Sequence, residues 1–243
     1  GGMYLNDSSP TLSNMTISGN QADCSSGSSY CGEGGGIYIG SYNCNPNITN
    51  VVISGNQVVQ GSSSSASQGG GIFLHADGNV SLTNCIISDN EAVRGGGVYL
   101  KSDYMGSPGG NGVIFQNVTI SRNRATGHSS YGSGGGMYLE APITMVNSIM
   151  WDNLDDAGSA HDSFDYYYDY ENNMVPGAWN EQDPPTITYS NIAGDSIWFG
   201  EGNINVDPLF TDYSNGDFTL QEGSPCIDAG DHSLLYIDSD DSR

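Results

Sequence analysis

Apolar residues along this chain come in short alternating runs bounded by glycine, serine and asparagine, and the runs repeat. One phrase pairs glycines with an apolar-aromatic-apolar triplet. It reads Gly34-Gly35-Gly36-Ile37-Tyr38-Ile39, then Gly69 to Leu74, Gly95 to Leu100 and Gly134 to Leu139, with a shorter copy in Gly1-Gly2-Met3-Tyr4-Leu5. The second phrase follows each copy of the first and has the form apolar-x-Asn-x-x-apolar-x-x-Asn. It occupies Leu12 to Asn20, Ile48 to Asn56, Leu82 to Asn90, Phe115 to Asn123 and Met145 to Asn153. Alternation with a period of two and enrichment in β-branched and aromatic residues predict strands, not helices.

The first asparagines of the second phrase, at 14, 50, 84, 117 and 147, lie 36, 34, 33 and 30 residues apart. The second asparagines, at 20, 56, 90, 123 and 153, keep the same steps, so insertions fall between phrases and never inside them. Helical repeats of similar length need helix formers at spacings of three and four, which are missing here. The pattern therefore predicts an all-β fold, a parallel β-helix of about six coils. Coils stacked about 4.8 Å apart bring equivalent side chains into vertical rows. Asn14, Asn50, Asn84, Asn117 and Asn147 are expected to form one internal ladder, and Asn20, Asn56, Asn90, Asn123 and Asn153 a second. By strict alternation Leu12 and Asn14 share a face, with Ser13 opposite.

Three regions are expected: five coils over 1–153, an acidic and tyrosine-rich insertion over 154–185, and a last coil with a C-terminal cap over 186–243. The phrase weakens at Ile187-Thr188-Tyr189-Ser190-Asn191-Ile192, where Tyr189 replaces the ladder asparagine. A tyrosine there suits an end cap, and the segment from Asp207 onward is expected to close that end. The repeats resemble right-handed parallel β-helix proteins of bacterial surfaces, of the pectate-lyase-like and polymorphic outer-membrane types. Asn203-Ile204-Asn205-Val206-Asp207-Pro208-Leu209-Phe210, Asp217 to Gln221 and Ser224 to Asp231 resemble the closing segment of choice-of-anchor surface proteins. That resemblance implies a fold and a cell-surface setting; it implies no single activity, because such helices carry lyases, hydrolases, adhesins and inert stalks.

Charge narrows the partners. With 28 acidic against 5 basic side chains the formal net charge is −23, which disfavours nucleic acid, anionic membranes and polyuronates. No apolar run is long enough for membrane insertion. The chain opens inside a repeat, as a processed or partial piece of a longer secreted protein would. Cys24 and Cys31 bracket a Ser/Gly-rich loop and are expected to close it as a disulfide, in keeping with an extracellular location. Cys85 aligns with Val51 and Val118 and is expected to be a buried thiol.

Candidate chemistry is sparse. A lyase would draw its base from Arg94, Lys101, Arg122 or Arg124, and a structural role fits these better. A hydrolase would need facing carboxylates, for which Asp89 and Asp152 offer a pair at turn positions matching Gly19 and Gly55, two coils apart. Tyr166, Tyr167, Tyr168, Tyr170 and Trp179 in the insertion suit a carbohydrate platform. Asp212, Asn215 and Asp217, with Asp238, Asp240 and Asp241, group oxygen ligands suited to Ca²⁺. The expected function is a non-catalytic extracellular stalk, adhesin or fibre-forming subunit, stabilised by calcium. A secreted lyase or glycoside hydrolase, or a carbohydrate-binding module, stays open as the alternative. The apolar face of the first coil (Met3, Leu5, Leu12, Ile17) calls for a cover, either upstream coils or head-to-tail stacking of a second copy.

Overall fold

The computed structural model describes residues 1–23, 32–40, 43–59, 67–75, 78–101, 112–127, 134–156, 164–166 and 185–233. Over these residues the chain is an all-β parallel solenoid. The glycine phrase builds a six-stranded sheet in chain order: Met3–Asn6, Ile37–Gly40, Ile72–His75, Val98–Lys101, Met137–Leu139 and Phe164–Tyr166. The asparagine phrase builds a second sheet of ten strands, and the residues after it build a third of five, from Gln21–Asp23 to Leu154–Asp155. Five coils carry strands on all three faces. The sixth, with Phe164–Tyr166, Thr186–Thr188 and Asn191–Ile192, has described strands in two of the sheets, so the described residues form five coils and a partial sixth where about six were expected.

Registry between coils follows the repeat residue for residue. Tyr4 pairs with Tyr38, Tyr38 with Phe73, Phe73 with Tyr99 and Tyr99 with Tyr138. Inside, each position of the phrase forms an apolar column, for example Ile48, Leu82, Phe115, Met145 and Ile187, all buried. These columns merge into one core, each fully buried Ile or Leu contributing about 1.5–3 kcal/mol. Cys85 and Cys44 are buried in it as free thiols, each 1% exposed. Cys85 Sγ lies 3.3 Å from the Thr83 carbonyl oxygen, and burial raises its pKa.

The two asparagine rows differ, and the expectation of two internal ladders is corrected. Asn14, Asn50, Asn84, Asn117 and Asn147 have φ between 51° and 55°, the left-handed region. That conformation bends the chain and turns the side chain outward, leaving Asn14 and Asn50 exposed and the later three half-buried. Strict alternation therefore fails at this residue: Leu12, Met15 and Ile17 face inward, while Asn14 does not. In the first two coils the strand runs through the bend (Thr11–Ser18, Asn47–Ser54); later it splits, as in Ser81–Thr83 and Ile86–Ser88.

The second row is the internal ladder. Asn56, Asn90 and Asn123 are 0% exposed. Asn90 Oδ1 accepts from both Asn56 N and Asn56 Nδ2 at 3.0 Å, while Asn90 Nδ2 donates to Asn123 Oδ1 and to the Ile53 carbonyl, each at 2.9 Å. The glycine phrase is the counterpart of this ladder. Gly95 has φ 61°, and a Cβ on Gly97 would come within 2.6 Å of the Gly136 carbonyl oxygen and 3.0 Å of the Asn123 amide. Only glycine lets the chain cross so close to the rung.

Outside the first sheet a column of rings runs along the axis. Tyr4, Tyr38, Phe73, Tyr99 and Tyr138 stack with centroids 4.9, 5.2, 5.5 and 5.1 Å apart and planes within 9°. The column passes from Tyr4, 69% exposed, to Phe73 and Tyr99, which are buried.

The closing of the far end also differs from expectation. Trp198 packs against the core, and Asn203 takes the rung position, accepting from Ser190 N at 2.9 Å and donating to the Ile187 carbonyl at 2.8 Å. Closure thus comes before Asp207. The hairpin of Phe210–Asp212 and Asp217–Leu220, joined by the 3-10 turn Tyr213–Asn215, instead folds back along the flank of earlier coils.

Candidate functional site

The hairpin is held at a corner where successive coils place Gly19, Gly55, Asp89, Arg122 and Asp152, all at positive φ. Arg122, an unusual residue for φ 58°, donates through Nη2 to Asp89 Oδ2 at 2.6 Å and through Nη1 to the Tyr213 carbonyl. Its guanidinium lies 5.3 Å from the Tyr213 ring centroid and 5.2 Å from that of Phe218. The Tyr213 hydroxyl donates to Asp152 Oδ2. Burial and that bond push the Tyr213 phenol above its ordinary pKa. Phe210 stacks on Tyr213, and Phe218 meets both rings edge-on, in a small cluster behind the clamp.

Beyond the clamp the C-terminal segment bridges to the outer asparagine row and leaves a cleft of about 570 Å³ against the flank. Asn117, Asn147 and Tyr189, three successive positions of that row, form one wall, and Asp228, Asp231 and His232 face them. Ile149, Ile204 and Leu220 supply its apolar surface. The segment is tied across by Asp231 N, which donates to Asn147 Oδ1 at 2.7 Å, and by Asn191 Nδ2, 2.8 Å from the Val206 carbonyl and 3.1 Å from Cys226 Sγ. Hydrogen bonds from Ser233 hold the Asp231 carboxyl below the usual carboxylate range, so it is charged at neutral pH. Burial raises the Cys226 thiol, which makes it a poor nucleophile near neutrality.

This cleft interrupts the outer ladder. Upstream, Asn50 Nδ2 donates to Asn14 Oδ1, Asn84 Nδ2 to Asn50 Oδ1 and Asn117 Nδ2 to Asn84 Oδ1, at 3.1–3.2 Å. Among the described residues, Asn117 Oδ1 receives no such bond from the next rung and Asn147 Nδ2 makes none. The row then ends in Tyr189, held at φ 48°, a costly conformation for a bulky residue. The Tyr189 hydroxyl donates to Glu201 Oε1 at 2.8 Å.

The residues singled out in the sequence are scattered. Asp212 and Asp217 are consumed by their own hairpin: Asp212 accepts from Ser214 Oγ and Asn215 Nδ2, and Asp217 from Thr219 N and Oγ1. Asp238, Asp240 and Asp241 lie outside the described residues, as do Tyr167, Tyr168, Tyr170, Trp179, Cys24, Cys31 and the side chain of Tyr166. No group of three or more His, Cys, Asp or Glu side chains is arranged to hold a metal among the described residues. Asp89 and Asp152 serve the Arg122 clamp, and Arg124 bridges coils through Asp156 at 2.7 Å and Glu91 at 3.5 Å. Arg94 lies over the Tyr138 ring at 5.7 Å.

Sequence reasoning missed both the cleft and the ring column. The column was visible as an aromatic at one fixed position of the glycine phrase. The cleft had one signal, the replacement of a ladder asparagine by Tyr189.

Fold and flank together define an all-β parallel solenoid of stacked coils carrying a C-terminal strap. Comparison with protein families, curated proteins and solved structures yields no match for the chain. Among the described residues no helix is long and apolar enough to cross a membrane.

Proposed function

We propose that the chain is a non-catalytic structural and adhesive module of an extracellular surface protein, a stiff rod serving as stalk, adhesin or fibre subunit. The observation that carries this reading is the coil-to-coil use of polar side chains. The buried asparagines spend their amides on one another and on neighbouring carbonyls. Arg122 and Arg124, the cations nearest to a lyase-like arrangement, are committed to ion pairs that join coils. Cross-linking of this kind stiffens a rod, whereas a catalytic groove needs polar groups aimed at a substrate.

The pectate-lyase-like and choice-of-anchor resemblances belong to the same proposal, as does calcium bound by the acidic surface. Among the described residues the strands of the first coil pair on one side only, which fits cover by a second copy or by further coils. Purified protein incubated with a panel of neutral and acidic polysaccharides is expected to release no reducing ends and no unsaturated uronides. Turnover of any of them overturns the non-catalytic reading.

A further inference from the structure

The cleft under the C-terminal strap has a hydrogen-bonding character that neither the ladders nor the clamp uses. On one wall, Asn147 Nδ2 offers donors and Asn117 Oδ1 an acceptor, both without partners among the described residues and both half-buried. On the other, Asp228 and Asp231 bring carboxylates, which can only accept; Asp231 Oδ1 already takes Ser233 N at 2.8 Å. A ligand that satisfies both walls must donate to carboxylates and accept from an amide. A hydroxyl group does both. An ammonium ion or metal would leave the Asn147 amide unserved. A phosphate, sulfate or uronate would meet like charge from two aspartates on a surface of net charge −23, with His232 the one basic side chain among the described lining residues.

Between these walls lie Ile149, Ile204 and Leu220, an apolar patch suited to the C–H face of a sugar ring. The volume of about 570 Å³ falls within the range of small-ligand sites, roughly 300–1,000 Å³. The fold also keeps the site from collapsing. Asn147 Oδ1 is drawn to Asp231 N rather than to the next rung, and Tyr189 stands where an asparagine would have continued the ladder. The first goes with an unmade bond between Asn147 Nδ2 and Asn117 Oδ1, and the second ends the row.

We propose that the cleft binds a neutral sugar unit of a glycan chain through Asn117, Asn147, Asp228 and Asp231. The inference rests on the adhesive reading and names the site and ligand class for it. It differs from the tyrosine-rich platform expected from the sequence.

The test is calorimetric titration of the full chain with cellotetraose, laminaritetraose, mannotetraose, chitotetraose and tetragalacturonate. At least one neutral tetrasaccharide is expected to bind, and tetragalacturonate is not. Asn117→Gly keeps the left-handed backbone while removing the acceptor, and Asp231→Asn keeps the bond to Ser233 while removing the charge. Each is expected to weaken binding about tenfold, the scale of one or two lost polar contacts. Asn50→Gly changes the same rung position outside the cleft and is expected to leave affinity unchanged; its melting temperature, set beside that of Asn117→Gly, controls for folding. Binding of none of the neutral sugars, preference for tetragalacturonate, or equal losses in Asn50→Gly and Asn117→Gly would each overturn the inference. Product release from any sugar would instead sink the non-catalytic reading and leave the binding site standing.

Discussion

Two rows of asparagine run along this molecule with the same spacing, the same residue type and the same number of rungs, yet they do different work. In the inner row, Asn56, Asn90 and Asn123 are sealed from water, and each amide serves backbone and side-chain partners in neighbouring coils. In the outer row, Asn14 to Asn147 occupy a left-handed bend, partly in water, with a single side-chain bond of 3.1–3.2 Å between successive rungs upstream of the cleft. The inner asparagines are chosen for hydrogen bonds that water cannot replace. The outer ones are chosen for a backbone conformation that asparagine tolerates better than other residues with a side chain. A repeat motif thus conceals two physical demands behind one letter.

The sharpest way to break this comparison is to cut a rung in each row. Asn90→Ala would leave Asn56 N without its acceptor and take one donor each from the Ile53 carbonyl and Asn123 Oδ1 in a dry interior, and is expected to cost about 3 kcal/mol in urea unfolding. A loss below that of an outer-row alanine would show the assignment of roles to be reversed.

The corner clamp comes next. Arg122→Ala removes the ion pair to Asp89, the bond to the Tyr213 carbonyl and the ring contacts, with an expected loss of about 2 kcal/mol. Because the strap shields Cys226, thiol labelling at that residue is expected to quicken in the same variant. Unchanged labelling would mean that the strap is held elsewhere.

A smaller pair of substitutions isolates backbone from side chain in the outer row. Asn84→Ala places a Cβ without local compensation at φ 54° and is expected to cost about 1 kcal/mol. Asn84→Gly relieves that conformation and is expected to lie within about 0.5 kcal/mol of the native protein. If glycine were as damaging as alanine, the side-chain bonds of the outer ladder would matter more than its bend.

The last effect is silent at neutral pH. Tyr99 lies buried in the ring column with its hydroxyl donating to Glu140 Oε1, and burial first, then the Glu140 charge, push its phenol far above the ordinary value of 10.0. A raised folded pKa favours the neutral phenol, so its stabilisation is full below about pH 10 and is lost as pH rises beyond it. Urea midpoints from about pH 8 to 11 are expected to fall less steeply for Tyr99→Phe than for the native chain. Parallel declines would place the alkaline sensitivity in another group, such as Tyr213.

Much of the fold was legible because a solenoid repeats its physics. Strand positions, parallel registry, the apolar columns and the burial of Cys85 all follow from aligning one phrase with the next. Which asparagine row lay inside could not be read that way, since alternation breaks at a left-handed residue and the letters do not carry φ. The strap was illegible for a different reason. Arg122 meets Tyr213 across 91 residues and Asp231 meets Asn147 across 84, and neither segment shares a motif with the other. Around Asp212, composition shows the oxygens but not the donors from Ser214, Asn215 and Thr219 that Asp212 and Asp217 meet in the hairpin.

The sequence by itself determined the local and periodic features: strands where apolar residues alternate, glycines where the chain crosses a rung, and one side-chain identity per column. Tertiary structure alone decided which polar side chains are spent and which are free. Arg122 is spent because a distant hairpin folds onto it, and Asn147 leaves the ladder as Asp231 N takes its amide oxygen, with Asn117 Oδ1 meeting no donor from that rung. Repetition specifies contacts between neighbours in the repeat, whereas a site made by a non-repeating strap depends on long-range packing that no period encodes.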